Sequence, residues 1–321
     1  MSRTTVLIPL HRSLPWVEVV ERNARALAPV AHVVVSDAGE ADDALAVLRD
    51  RLADVDQVSF VGRRAIDPGW VAHCNDLQAS VTTEFHMWLA HDDEIGADWV
   101  VSAERELDAN PAATLACGSI TELPATEASS VDHQLRRVEC APELSSTDAR
   151  VRAAAMLSLL AQDAAPLGLL FRSVQRSAAT RPLPHREGDV FSDVVWALDV
   201  VAHAPVVVTT AVYRKRWHPD SEHASWPPLG ELPGVRAEWS ARAVGALNRD
   251  DAVAAVAQAW DDELAREAVA LRAALAKRED EISQLHAQIE AMAATVSWRT
   301  TAPLRSLRAA MGRSHARSDG T

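Results

Sequence analysis

Trp88-Leu89-Ala90-His91-Asp92-Asp93-Glu94-Ile95 is an apolar run broken by three consecutive acids. It reads as a buried strand delivering carboxylates to its carboxyl end, the edge at which open α/β sheets bind ligands. Adjacent carboxylates repel each other, so the arrangement suits a cation held between protein and ligand. Hard oxygen donors of this kind favour magnesium or manganese, which bridge one or two carboxylates to phosphates. A strand running into a solvated acidic turn is the plainer alternative.

Working outward, residues 5–9, 31–35 and 57–61 read as further strands, and 85–90 as the strand leading to the acids. Residues 16–28, 41–52 and 70–80 carry apolar side chains at helical spacing. Strand and helix alternating in this way imply an α/β fold, a mostly parallel, Rossmann-like sheet with right-handed crossovers and flanking helices. The strands are apolar throughout, as a sheet covered on both faces requires. Asp37 follows the second strand, where nucleotide-binding folds commonly place an acid that accepts hydrogen bonds from a ribose or base. Neither a Gly-x-Gly-x-x-Gly turn after the first strand nor a Walker loop is present, which disfavours dinucleotide and P-loop enzymes. Phosphates would then be held by metal and arginine.

Composition narrows the class. The chain has 321 residues, 48% of them hydrophobic, and a formal net charge of -13, which argues against broad nucleic-acid binding. Lys215 and Lys277 are its only lysines. Cys74, Cys117 and Cys140 lie far apart without metal-ligand spacing, a pattern that fits a reducing, cytoplasmic setting. The amino terminus shows no secretory pattern. Residues 153–171 come nearest to a membrane span, but Gln162, Asp163 and Pro166 interrupt them, so an amphipathic helix followed by a short strand is expected.

The order and spacing of these pieces resemble family 2 glycosyltransferases of the GT-A (nucleotide-diphospho-sugar transferase) fold. The matching segments are Val6-Leu7-Ile8-Pro9, Val33-Val34-Val35-Ser36-Asp37-Ala38-Gly39 and Trp88-Leu89-Ala90-His91-Asp92-Asp93. Downstream, Asp189-Val190-Phe191-Ser192-Asp193-Val194-Val195-Trp196-Ala197-Leu198 resembles the segment that carries the family's catalytic base. Tyr213-Arg214-Lys215-Arg216-Trp217-His218-Pro219-Asp220-Ser221 is similar to its Arg-Arg-x-His-x-x-Ser stretch. The resemblance covers residues 4–223. It departs at His91, which replaces the first acid of Asp-x-Asp, and at Asp37-Ala38-Gly39, where Asp-Asp-Gly-Ser is usual.

The resemblance implies an inverting transfer from a nucleotide-diphosphate-sugar donor to a hydroxyl of a glycan or polyprenyl-linked acceptor, in cell-surface polysaccharide synthesis. Pro9, His11 and Asp37 would hold the base and ribose. Magnesium or manganese would sit at Asp93 with Asp92 as helper, and His91 would ligate it, bond a phosphate or merely pack. Asp193 would take the acceptor proton, with Glu187 and Asp189 as nearby rivals. The alternative for Asp193 is an acid favoured by a helix macrodipole. Arg214, Arg216 and His218 would clamp the diphosphate, unless they form an exposed basic strand end. Gly168-Leu169-Leu170-Phe171-Arg172 resembles the family's acceptor-side segment. Two other classes stay open: an inactive GT-A-like assembly scaffold, and another metal-dependent enzyme acting on phosphate esters.

The carboxyl-terminal quarter differs in kind. Leu264, Leu271, Leu285 and Met292 form one heptad seam, interrupted by Arg278, and Ala268, Leu275, Ile282, Ile289 and Val296 form the other. This pattern is that of a coiled coil pairing two copies, or of one amphipathic helix lying back on the enzyme. The expected organisation is a GT-A domain over 1–225, a linker and helical connection over 226–260, a coiled-coil helix over 261–297 and a flexible basic tail over 298–321. The tail, Ser297-Trp298-Arg299-Thr300-Thr301-Ala302-Pro303-Leu304-Arg305, resembles one found after coiled coils in bacterial glycosyltransferases. It could contact an anionic membrane peripherally or stay solvated. Residues 122–146 read as an irregular, lid-like loop.

Overall fold

The computed structural model describes residues 2–37, 42–62, 69–123, 137–162, 165–216, 233–294, 301 and 303–306. The chain forms two units, Met1–Asp261 and Asp262–Thr321.

The first unit starts with β1 (Thr4–Leu10), α1 (Val17–Leu27), β2 (His32–Asp37), α2 (Ala44–Arg51), β3 (Val58–Gly62), α3 (Trp70–Ala79) and β4 (Phe85–Trp88). Within β1 the consecutive residues Val6, Leu7 and Ile8 are all fully buried. Neighbouring strand residues point to opposite faces, so the sheet is covered on both sides. β1 lies between β2 and β4 and runs parallel to both, with Leu10 opposite Asp37 and Leu7 opposite Trp88. The acids that follow β2 and β4 thereby emerge at one edge.

The chain continues through α4 (Ala97–Ala109), β5 (Leu115–Leu123), β6 (Arg137–Val138), α5 (Ala149–Gln162), α6 (Ala165–Leu169), β7 (Val174–Arg176), α7 (Ser192–His203), β8 (Val206–Arg216) and α8 (Pro233–Val244). The sheet order is β3-β2-β1-β4-β7-β5-β6, with β8 paired to β5. β7 is antiparallel to both β4 and β5, whereas β8 is parallel to β5. A short inverted strand thus joins the parallel half to the rest. Gly118 lies at the irregularity between Cys117 and Ser119 in the β5–β8 ladder. A Cβ there would overlap the Ala211 carbonyl oxygen and crowd the Trp99 ring.

Three expectations change. The stretch after α5 is helical, α6 followed by a 3-10 turn over Leu170–Arg172, and the strand comes only at β7. β8 runs through Arg216, so Tyr213 to Arg216 belong to the sheet; Tyr213 and Lys215 are buried and Arg214 is exposed. Part of the expected irregular loop is ordered as β6 and a 3-10 turn over Pro142–Ser145. Its residues 124–136 lie outside the described residues, as does His218.

α9 spans Arg249–Ala294. Ala255 and Ala259 near its start are buried, whereas Leu271, Leu275, Ile282, Leu285, Ile289 and Met292 are each more than half exposed. Among the described residues no single helix is long and apolar enough to cross a membrane.

Candidate functional site

The loop after β4 turns at Asp93, whose backbone amide bonds the Ala90 carbonyl at 3.2 Å. Asp93 is only 1% exposed, and its carboxylate is surrounded by protein donors. Arg172 Nε donates to Oδ2 at 3.1 Å, the Tyr213 hydroxyl donates to the same oxygen at 2.8 Å, and the Arg216 amide donates to Oδ1 at 2.8 Å. Asn23 on α1 donates to the Asp93 carbonyl at 2.7 Å. One acid therefore ties α1, the turn after α6 and β8 to the end of β4.

Burial pushes the Asp93 carboxyl up, while the Arg172 charge and the Arg216 amide pull it back. Burial likewise opposes the Arg172 charge, but Asp93 overcomes it and holds the guanidinium above its ordinary range. Lys215 is 6% exposed. Burial and then the Arg172 charge push its ammonium down to about 7, against the attraction of Asp93, Asp193 and Asp92. The cluster thus holds three acids against two cations, in a medium where each charge is felt strongly.

Asp193 enters the cluster from the second position of α7 and is 4% exposed. Its Oδ1 accepts from the Val194 amide at 2.9 Å. A Cβ on Gly168 would lie 3.3 Å from its Oδ2, so the absence of a side chain at Gly168 lets α6 approach the acid closely. The backbone leading into α7 is strained: Gly188, Asp189 and Phe191 have φ of 64°, 54° and 56°. Such left-handed residues cost energy outside glycine and gather at working sites. Arg12, in the loop after β1, has φ of 49° and is the remaining non-glycine case among the described residues.

His91 is half-buried, and its ring bonds the Pro9 backbone. Burial lowers its pKa, opposed by Asp92, Asp93 and the Pro9 bond, with His11 adding to the lowering. Pro9, His11, His91 and Asp92 thus share the end of β1 and β4. Asp37 lies at the same edge one strand away, opposite Leu10. Arg214 and Arg216 diverge from the Asp93 carboxylate. The Arg214 side chain is exposed, and the Arg216 guanidinium pairs with Glu94 at 2.9 Å, which also binds Arg22 at 2.8 Å.

The expected metal ligand, Asp93, has both oxygens engaged by the protein. Asp92, next to it, is 8% exposed, and His91 is half-buried. Among the described residues no three His, Cys, Asp or Glu side chains form a set that would hold an ion unaided. Magnesium does not require one, because it keeps water and binds through one or two carboxylates plus substrate phosphates.

Arg172, Glu94, Tyr213 and Lys215 lay within quoted segments of the sequence reading without a role at Asp93, and Asn23 was not singled out at all. Two signals were available: Tyr213 is the only tyrosine, and Lys215 is one of two lysines. An aromatic floor lies below, with the Trp88 and Phe171 rings stacked at 4.4 Å and Trp196 edge-on to Trp88 at 5.7 Å.

No family model matches the sequence, and no curated protein matches it either. Among solved structures, S. aureus TarS 1-349 in complex with UDP-GlcNAc is similar over 76% of this chain and 66% of its own, at 14% identity and a TM-score of 0.53. TarS 1-349 in complex with UDP is similar over 81% of this chain and 88% of its own, at 14% identity and a TM-score of 0.50. In a longer S. aureus TarS structure the match spans 37% of that chain. A looser likeness, at a TM-score of 0.43 and 15% identity, links 76% of this chain to 78% of M. tuberculosis glucosyl-3-phosphoglycerate synthase with Mn2+, UDP and phosphoglyceric acid. At these identities the likeness is one of architecture: the sheet and its flanking helices are those of the GT-A fold.

Proposed function

We propose that the chain is an inverting glycosyltransferase that moves a sugar from a nucleotide-diphosphate-sugar donor to a hydroxyl of a glycan or lipid-linked acceptor. The observation that carries this reading is the cluster at the carboxyl edge of the sheet, where α6, α7 and β8 bring Asp193 to the acids that follow β4. The UDP-GlcNAc bound by a TarS of the same fold supports a uridine diphosphate sugar as donor.

In the proposed reaction the acceptor hydroxyl oxygen attacks the anomeric carbon as the bond to the diphosphate breaks on the opposite face. Asp193 takes the hydroxyl proton. A positioned base contributes on the order of 10²–10⁴-fold. Pro9, His11 and Asp37 hold the nucleoside, and Arg214, Arg216 and His218 are assigned to the diphosphate by resemblance alone. Asp92 and His91 are the groups that would hold magnesium or manganese, with donor phosphates completing the shell. When bound, the ion supplies charge neutralisation on the departing diphosphate. Cell-surface polysaccharide synthesis on the cytoplasmic side, with the tail at the membrane, and self-association through residues 261–297 belong to the same reading.

The test is a thermal-shift screen of nucleotide sugars with and without manganese, on the wild type, Asp92→Asn and Asp193→Asn. One donor should stabilise the wild type and Asp193→Asn, and lose its metal dependence in Asp92→Asn. Indifference to every donor would leave a scaffold as the better description.

A further inference from the structure

Between Leu271 and Met292 every large apolar side chain of α9 falls on the heptad seam, and each of the six is more than half exposed. Leu275, Ile282 and Ile289 occupy one seam position; Leu271, Leu285 and Met292 occupy the other. The rest of the stretch is alanine or polar. A helix patterned in this way cannot bury its stripe against itself, so a second surface of the same period must cover it.

We propose that this surface is the α9 helix of a second copy, aligned parallel and in register as a two-stranded coiled coil. The choice of occupant rests on side-chain shape and charge. β-branched Ile282 and Ile289 sit at the a position with Leu271 and Leu285 at d, the combination that selects two parallel strands. In that alignment the g-position Glu281 of one copy faces the e-position His286 of the other, and no like-charged e/g pair arises between Leu271 and Met292.

Arg278 interrupts the seam at d. It bonds Glu281 of its own helix at 2.8 Å and is 78% exposed, so each copy brings the counter-charge for its own arginine. A single polar residue in a seam fixes register at some cost in stability. Outside the seam the stretch is mixed in sign, Arg272 and Lys277 against Glu279, Asp280, Glu281 and Glu290, which gives an anionic membrane nothing to attract.

The proposal does not rest on the enzymatic reading. It places the residues that follow both helices at one end of the assembly, so the two basic tails would start side by side.

Analytical ultracentrifugation of the full chain should give twice the mass of one chain. The double variant Ile282→Asp with Leu285→Asp should sediment as a monomer while the first unit keeps its melting temperature. Leu285→Cys should form a disulfide with itself across the dimer on mild oxidation, as should Leu271→Cys. An antiparallel pair would set position 285 against an a position and give no such product. A monomeric wild type, a dimer that survives the double aspartate variant, or a dimer in which neither cysteine links to its own copy would each overturn the proposal.

Discussion

Arg172 donates to Asp93 across 3.1 Å with side chains 8% and 1% exposed, making a buried ion pair between the turn after α6 and the loop after β4. The pair joins the turn over Leu170–Arg172 to the acids from which the fold was read. Tyr213 and the Arg216 amide share the same carboxylate, so the relative placement of three chain segments depends on one residue.

Removing one partner of such a pair leaves the other charged and dry, at a typical cost of about 3–5 kcal/mol. Asp93→Asn and Arg172→Met should each lower the melting temperature by roughly 10 °C in a domain of this size. The double variant Asp93→Asn with Arg172→Met should lose less than the sum, because no uncompensated charge remains. Calorimetry on the four proteins decides the matter; additive losses would mean that the pair is not a unit.

Gly168→Ala tests the approach of α6 to Asp193. The added methyl would sit 3.3 Å from Oδ2 and 3.6 Å from Val194 Cγ2, tight enough to shift the acid. Turnover should drop by about tenfold or more, while Asp193→Asn should lose about 10²–10⁴-fold, both with donor binding retained. Steady-state rates beside donor affinities measure this. An alanine variant with full activity would show that the placing of Asp193 does not depend on the close approach of α6.

The parallel half of the sheet was legible because its strands are apolar runs separated by helical periods, both local patterns. The partners of Asp93 were not. Arg172 and Tyr213 lie 79 and 120 residues away, and nothing in their own neighbourhoods marks them as buried. Tyr213-Arg214-Lys215-Arg216 resembles a solvated strand end. Burying Lys215 becomes tolerable only beside acids contributed by β4 and α7, and a linear reading does not bring those together. β7 is three residues long, too short for any period, yet it sets the antiparallel join beside β4. Asp193, in contrast, is singled out only by its resemblance to a family motif, since local sequence alone leaves it an ordinary helix-start acid.

Gly118 makes a prediction about stability alone. A methyl there meets the Ala211 carbonyl and the Trp99 ring, one of which is backbone, so the β5–β8 ladder must shift. Overpacking of this kind typically costs about 1–3 kcal/mol. Gly118→Ala should lower the urea midpoint without altering the slope of the transition. An unchanged midpoint would show that the bulge has room to relax.

His86 gives the protein a built-in acid sensitivity. The side chain is fully buried in β4, its Nδ1 lies 3.0 Å from the Ser177 hydroxyl, and its Nε2 has no partner among the described residues. Burial pushes its pKa down to about 4, whereas an unfolded histidine titrates near 6.5. Between those values the unfolded chain binds the proton and the folded one does not, so stability falls as the pH falls from about 6.5 to 4. Below that window both states are protonated and the loss levels off, at a total of about 3 kcal/mol. Carboxylates add their own slopes, so the informative quantity is the difference between wild type and His86→Gln. Chemical denaturation at pH 7 and pH 4.5 should show the variant losing less stability on acidification. Equal losses in the two proteins would place the acid-sensitive group elsewhere.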